Sequence, residues 1–242
     1  MKILVANRSG NVGKTTTVRH LLAPRIKEPE IVSVETINSD ESDEGAIRGQ
    51  QFALVQDLLL TVDDVVVDVG SSNFESFRDL MRTYDGSHED FDLFVVPVVP
   101  ETKQERDTIL TIKDLADIGV PPQKIVVLFN KLEREEQIDE AFPMLRAFHA
   151  SEKLFSLRRD AFVLANPIFA TLRKMPGRSI IEIRDDQADY KQMLADAMKN
   201  GASEDEKSHI KSLIATKRLA AGVVTQLDSA FKALTRKGKA GE

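Results

Sequence analysis

Residues 10–16 read Gly-Asn-Val-Gly-Lys-Thr-Thr, directly after the apolar run Ile3-Leu4-Val5-Ala6 and directly before Val18, Leu21 and Leu22 at helical spacing. A strand that empties into a glycine loop and then a helix has few ways to fold, because the turn must aim successive backbone N–H groups at one point. Those donors, with the positive end of the helix behind them, favour an anion. The cradle is expected to comprise Ser9, Gly10, Asn11, Val12, Gly13, Lys14, Thr15 and Thr16. In it Lys14 reaches phosphate oxygens as a point charge and the Thr15 hydroxyl serves Mg2+, which keeps several waters and needs few protein ligands. A nucleoside triphosphate is the natural occupant. The full phosphate-loop pattern asks for glycine at position 8, where this chain has Arg8.

A chain of 242 residues, 42% hydrophobic, is long enough for one α/β domain with a helical addition. It has no cysteine, so neither a disulfide framework nor a thiolate zinc site holds it together. The four histidines, at 20, 88, 149 and 209, lack ligand spacing. The chain opens on a strand rather than a secretory signal, and no apolar run approaches the ~20 residues of a membrane span. A cytoplasmic protein without a transmembrane segment is expected. The net charge of −6 is uneven: residues 207–242 hold eight Lys or Arg against Asp228 and Glu242, which leaves the remainder at −12. Such a basic tail is suited to a polyanion, and a solvated basic helix accounts for it equally well.

Apolar, β-branched runs recur at 3–6, 31–34, 65–69, 93–99, 125–129 and 161–164, with helical patterns at 15–22, 47–60, 74–82, 102–118 and 133–148 between them. Continuous apolar strands alternating with helices predict an α/β fold with a mainly parallel sheet covered by helices on both faces. Ligands bind such sheets beyond the carboxyl ends of the strands. After residue 165 the pattern turns helical, with Ile210, Leu213, Ile214, Val224, Leu227, Phe231 and Leu234 on one stripe. Residues 1–165 are therefore read as a nucleotide-binding α/β domain, and 166–242 as a helical extension packed on it and ending in the basic tail.

The run Val65-Val66-Val67-Asp68-Val69-Gly70 ends an apolar strand in a carboxylate, the group a magnesium nucleotide site needs opposite its phosphate loop. Asp68 is the candidate to hold the magnesium shell, and Gly70 lets the following backbone approach the γ-phosphate. Glu35, at the end of the 31–34 strand, is placed to orient an attacking water; exposure at a strand end explains it equally. Asn130 and Lys131 follow the 125–129 strand, where an amide can meet a purine edge and a lysine stem can cover the base. Glu133 stands two residues on, and the choice of base stays open.

The order of Ser-Gly-Asn-Val-Gly-Lys-Thr-Thr (9–16), Val-Val-Val-Asp-Val-Gly (65–70), Phe-Val-Val-Pro-Val-Val-Pro (94–100) and Val-Leu-Phe-Asn-Lys (127–131) resembles the deviant Walker ATPases of the ParA and MinD superfamily. Within it the chain is most similar to the StbB plasmid-stability proteins, through residues 6–15, 20–25, 34–38, 84–92 and 189–190. The resemblance implies a P-loop NTPase fold of the SIMIBI type and a cytoplasmic, ATP- and Mg2+-dependent hydrolase. Its work would be plasmid stability or partition, with a role in conjugative transfer also open. It also implies an ATP-linked homodimer and a plasmid-encoded DNA-binding partner, with direct DNA contact through the basic tail as a further option. The family's phosphate lysine, magnesium threonine and Walker B aspartate fall on Lys14, Thr15 and Asp68. Its signature lysine falls on Ser9, with the adjacent Arg8 as the candidate to supply that charge, and its switch aspartate falls near Ile37. These departures point to weak hydrolysis. Two other function classes compete: a nucleotide-binding adaptor for DNA or a partner with little hydrolysis, and a P-loop small-molecule kinase, which would need a lid around the adjacent Arg158 and Arg159.

Overall fold

The computed structural model describes residues 1–34, 44–134, 138–175 and 177–236. Six strands, β1 (Lys2–Val5), β2 (Glu30–Val34), β3 (Val65–Val69), β4 (Leu93–Val98), β5 (Ile125–Leu132) and β6 (Phe162–Leu164), form one parallel sheet in the order β2-β3-β1-β4-β5-β6. The chain leaves β1 toward β2 on one side and later crosses from β3 to β4 on the other, so the reversal of strand order falls at β1. That reversal opens a crevice beyond the strand ends. The four inner strands are built on apolar runs because helices cover both faces, and Ile3, Leu4, Val5, Val65, Val66, Val67, Val95 and Val96 are fully buried. The edge strand β2 buries only Val34 and leaves Glu30, Ile31 and Ser33 exposed.

The helices between the strands are α1 (Lys14–Thr16), which widens into a π-helical turn over Thr17–Leu22, then α2 (Glu44–Thr61), α3 (Phe74–Thr83), α4 (Thr102–Asp117), α5 (Ile138–Ala141) and α6 (Pro143–Glu152). Phe52 of α2 meets Phe77 of α3 edge-on at 5.2 Å, a favoured aromatic geometry. The helix expected over 133–148 is different in the structure. Strand β5 runs on to Leu132, and the helical stretch is cut before Pro143, which lacks an N–H and forces Phe142 out of helical geometry. Phe142 is instead buried against Phe129, with ring centroids 4.9 Å apart.

The chain then continues through α7 (Ile168–Leu172), α8 (Ile180–Arg184), α9 (Tyr190–Lys199) and the 32-residue α10 (Glu204–Thr235). Two compact units result, Met1–Ala165 with Ser229–Glu242, and Asn166–Asp228, so the last residues of α10 belong with the sheet. In the first unit the buried Arg158 donates to the carbonyls of Ala233 and Leu234 at 2.9 and 2.8 Å, satisfying the open carbonyl end of that helix. In the second, α8 starts on a reciprocal capping box between Ser179 and Glu182.

Glu105 is a buried carboxylate that the apolar pattern of α4 does not announce. It reaches across to α6 and accepts from the backbone N–H of Leu145 at 2.7 Å and from that of Met144, acting as a cap supplied by another helix. Burial raises its pKa, and the two backbone bonds oppose that rise. Glu105→Ala leaves these donors buried without an acceptor and should destabilise the protein by about 1–3 kcal/mol, whereas Glu105→Gln, which keeps one acceptor oxygen, should lose less. Urea midpoints for the three proteins check this.

Candidate nucleotide site

The glycine loop leaves β1 at its carboxyl end, and side chains from two other elements hold it open. The fully buried Asn7 donates to Pro97 O at 2.8 Å and to Thr108 Oγ1 of α4 at 2.7 Å, while its own Oδ1 accepts the N–H of Ser9 at 2.8 Å. One turn along α4, Thr111 Oγ1 accepts the N–H of Arg8 at 3.1 Å. From β5, Asn130 donates to Val12 O at 2.9 Å, and the Lys131 ammonium donates to Asn11 O at 2.8 Å. Lys131 lies at φ 57 in a bulge between Asn130 and Leu132, the kind of irregularity that re-aims side chains beside a site. Gly13, at φ +92, must be glycine for a second reason: a Cβ there would stand 2.3 Å from Asn130 Nδ2.

Lys14 is buried, 8% exposed, and its ammonium donates to Ser9 O at 2.8 Å and Asn7 O at 3.2 Å. Burial pushes its pKa down and the charge of Asp68 pushes it back up, so the two groups share one electrostatic environment. Asp68, itself buried, is brought there by the pairing of β3 with β1, which sets it opposite Val5. A cation buried on neutral carbonyls fits an anion arriving at the loop mouth, where Gly10, Asn11 and Thr15 are exposed. The Thr15 hydroxyl makes no hydrogen bond among the described residues, while Thr17 Oγ1 is bonded to Gly13 O at 2.9 Å. Thr15 therefore fits the place of a magnesium ligand better than Thr17. After Asp68, Gly70 donates to Val34 O at 3.0 Å, and a Cβ on Gly10 would lie 3.7 Å from Ser71 Oγ, so the loop after β3 borders the glycine loop.

Structure thus gathers Ser9 to Thr16, Asn130 and Lys131 around one loop and sets Asp68 in the field of Lys14. Glu35 lies outside the described residues. Asn130 and Lys131, expected against a purine, have polar groups committed to the loop backbone. Arg8, the candidate for a missing lysine charge, is bonded through Nε to Asp114 at 2.6 Å and through its guanidinium to Glu75, and it lies 5.9 Å over the Phe74 ring. Asp114 also accepts from Arg78 at 2.8 Å. Arg158 and Arg159 do not form a lid among the described residues, since Arg158 caps α10 and Arg159 pairs with Asp139 at 3.0 Å. Asn7, Thr108, Thr111 and Asp114 escaped the sequence reading, although Thr108, Thr111 and Asp114 recur at a spacing of three on α4, a pattern of one helix face.

The fold is similar to that of the MinD cell division protein of Aquifex aeolicus, with a TM-score of 0.56, 13% identity and coverage of 99% of this chain and 99% of that chain. It also overlaps a chain of the MinC:MinD cell division protein complex from the same organism, with a TM-score of 0.49, 14% identity, and 72% of this chain on 84% of that chain. No protein-family model and no curated protein sequence matches the chain. The likeness to MinD is therefore one of fold: a parallel α/β sheet with a helical carboxyl-terminal extension. Among the described residues no helix is long and apolar enough to cross a membrane.

His20 lies on the π-helical turn behind the loop, 9% exposed, with no partner for Nδ1 among the described residues. Burial, aided by nearby Arg19, lowers its pKa from 6.5 to about 4. The unfolded chain then binds a proton between these values that the folded protein refuses, so His20 makes stability fall as pH drops from 6.5 toward 4 and level off below. The full change is about 3 kcal/mol at most. Thermal melts across that window should flatten in His20→Leu relative to the parent protein.

Proposed function

We propose that this chain is an ATP-binding switch of ParA/MinD type, a weak Mg2+-dependent ATPase whose nucleotide state biases two conformations or assembly states. The observation that carries this reading is the Lys14 ammonium, buried on the carbonyls of its own loop beside Asp68 in a turn braced from β5 and α4. Lys14 would transfer its bonds from those carbonyls to phosphate oxygens, and the backbone N–H groups of residues 10–16 would orient the phosphate chain. Thr15 and Asp68 would hold Mg2+, which when bound neutralises charge on the β- and γ-phosphates. Glu35 remains the proposed water-orienting residue on the strength of the sequence. With an uncharged, buried Ser9 at the signature position and Arg8 paired within its own chain to Asp114 and Glu75, the signature charge is not supplied at residues 8–9, and this supports slow turnover.

The resemblance to StbB proteins supports a role in plasmid stability, in the cytoplasm, with an ATP-linked homodimer and a DNA-binding partner. Nucleotide signals only if the γ-phosphate contacts one state better than the other. The loop at 70–73 is a proposed sensor, tied to the end of β2 through Gly70 and Asn73.

Calorimetric titration with ATP and GTP, with and without Mg2+, tests the site. Lys14→Ala and Gly13→Ala should each weaken ATP binding at least about tenfold, equivalent to 1.4 kcal/mol. Asp68→Ala should remove most of the Mg2+ dependence while leaving metal-free binding measurable. Absence of any purine triphosphate binding by the parent protein overturns the proposal, and identical sedimentation with ATP and ADP at saturation overturns the switch.

A further inference from the structure

A groove of about 480 Å3 lies wholly within the unit Asn166–Asp228, between the start of α9 and the middle of α10. That volume is typical of a binding site. Four cations, Arg184, Lys191, Lys217 and Arg218, line it against one carboxylate, Asp189. Asp189 is engaged at the start of α9, where it accepts from the backbone N–H groups of Lys191 and Gln192 at 3.1 and 3.0 Å. Arg184 pairs with Asp185 at 2.6 Å, and Lys217 donates to the Asp186 carbonyl. Lys191 and Arg218 are exposed, and their side chains make no hydrogen bond or ion pair among the described residues. The lining between these charges is apolar, from Ile214 and Ala221 of α10.

The wall is held in place by the Asp186 carboxylate, which accepts from Arg178 and the Tyr190 hydroxyl, both at 2.7 Å, and from the N–H of Ala188 at 3.0 Å. Beyond the groove, α9 buries only Ala197 among its residues and leaves Met193 and Met198 exposed at 47% and 64%. Met193 follows Tyr190 by three residues and shares its helix face, so an apolar, adaptable surface continues out of the charged groove.

We propose that this groove docks an acidic, amphipathic peptide segment of a partner protein. Its carboxylates meet Lys191, Lys217 and Arg218, and its apolar side chains lie on Ile214 and Met193. Charge complementarity selects the ligand: with Arg184 paired to Asp185, Lys191, Lys217 and Arg218 against Asp189 leave a surplus of two positive charges in the groove of a chain whose net charge is −6. Nucleic acid fits less well. The Tyr190 ring is already approached by the Lys217 ammonium at 6.0 Å and its hydroxyl is held by Asp186, so base stacking would have to displace a cation, and a phosphate chain has nothing to lay on Met193. The inference does not depend on nucleotide binding, because no groove residue belongs to the sheet unit.

Fluorescence anisotropy of the full chain with a short fluorescein-labelled peptide repeating Glu-Glu-Leu-Leu tests it. Saturable binding is expected, weakened at least about tenfold by Lys191→Glu with Arg218→Glu and by replacing the peptide's glutamates with glutamine, and weakened also by Met193→Asp. Lys14→Ala should leave it unchanged. Circular dichroism checks that the charge-reversed protein folds, and Lys191→Gln with Arg218→Gln serves if it does not. The proposal is overturned if the acidic peptide does not bind, if the charge variants bind it equally, or if the glutamine peptide binds as well. Tighter binding of an oligothymidylate that is lost in the same variants also overturns it.

Discussion

A glycine loop has few side chains with which to hold its own shape, and this chain braces it from outside. Asn7 ties the loop's first residues to Pro97 and α4, and Asn130 and Lys131 tie its middle to the end of β5. The bonds from Asn130 and Lys131 take loop carbonyls, those of Val12 and Asn11, as acceptors and use none of the loop's N–H groups. Such bonds inside a water-poor region are strong when every partner is satisfied, and Asn7 uses both amide hydrogens and its oxygen. These bonds fix the loop from outside, and a loop held in one conformation loses less freedom in any binding it performs.

The parallel sheet makes this bracing possible. Because β1 is central, the ends of β3 and β4 flank the loop directly, and β5 reaches it by running three residues past the expected strand end and bulging at Lys131. Helix α4, which follows β4, presents Thr108 and Thr111 to the loop while Ile112 and Leu115 are buried in the core. One helix thus packs the sheet and positions the site, and apolar burial supplies the rigidity that the polar bonds exploit.

Much of this was readable in the residues. The four inner strands are continuous apolar runs bounded by polar turns, so their positions and parallel pairing followed from composition and alternation with helices. The nearness of Lys14 and Asp68 is legible because Lys14 stands in the loop after β1 and Asp68 near the end of β3, and apolar runs of this kind pair in parallel. Less legible was everything that depends on a partner far along the chain. Thr108 and Thr111 look like ordinary helix residues until Asn7 is set beside them, across about a hundred positions of sequence. The bond of Asn130 to Val12 O joins residues 118 positions apart, and the break at Phe142 is hidden because the apolar periodicity continues through Pro143. The pairing of Arg8 with Glu75 on α3 and Asp114 on α4 is hidden in the same way, across 67 and 106 positions.

Asp114 gives one carboxylate oxygen to Arg8, at the root of the loop, and the other to Arg78 on α3. The two guanidiniums repel each other, and the shared anion is what lets them stay close. If either retreats, Asp114 is left to the other, whose grip tightens. Alterations at Arg8 and Arg78 will therefore fail to sum in a thermodynamic cycle, and the shortfall measures how far the root of the loop and α3 behave as one mechanical body.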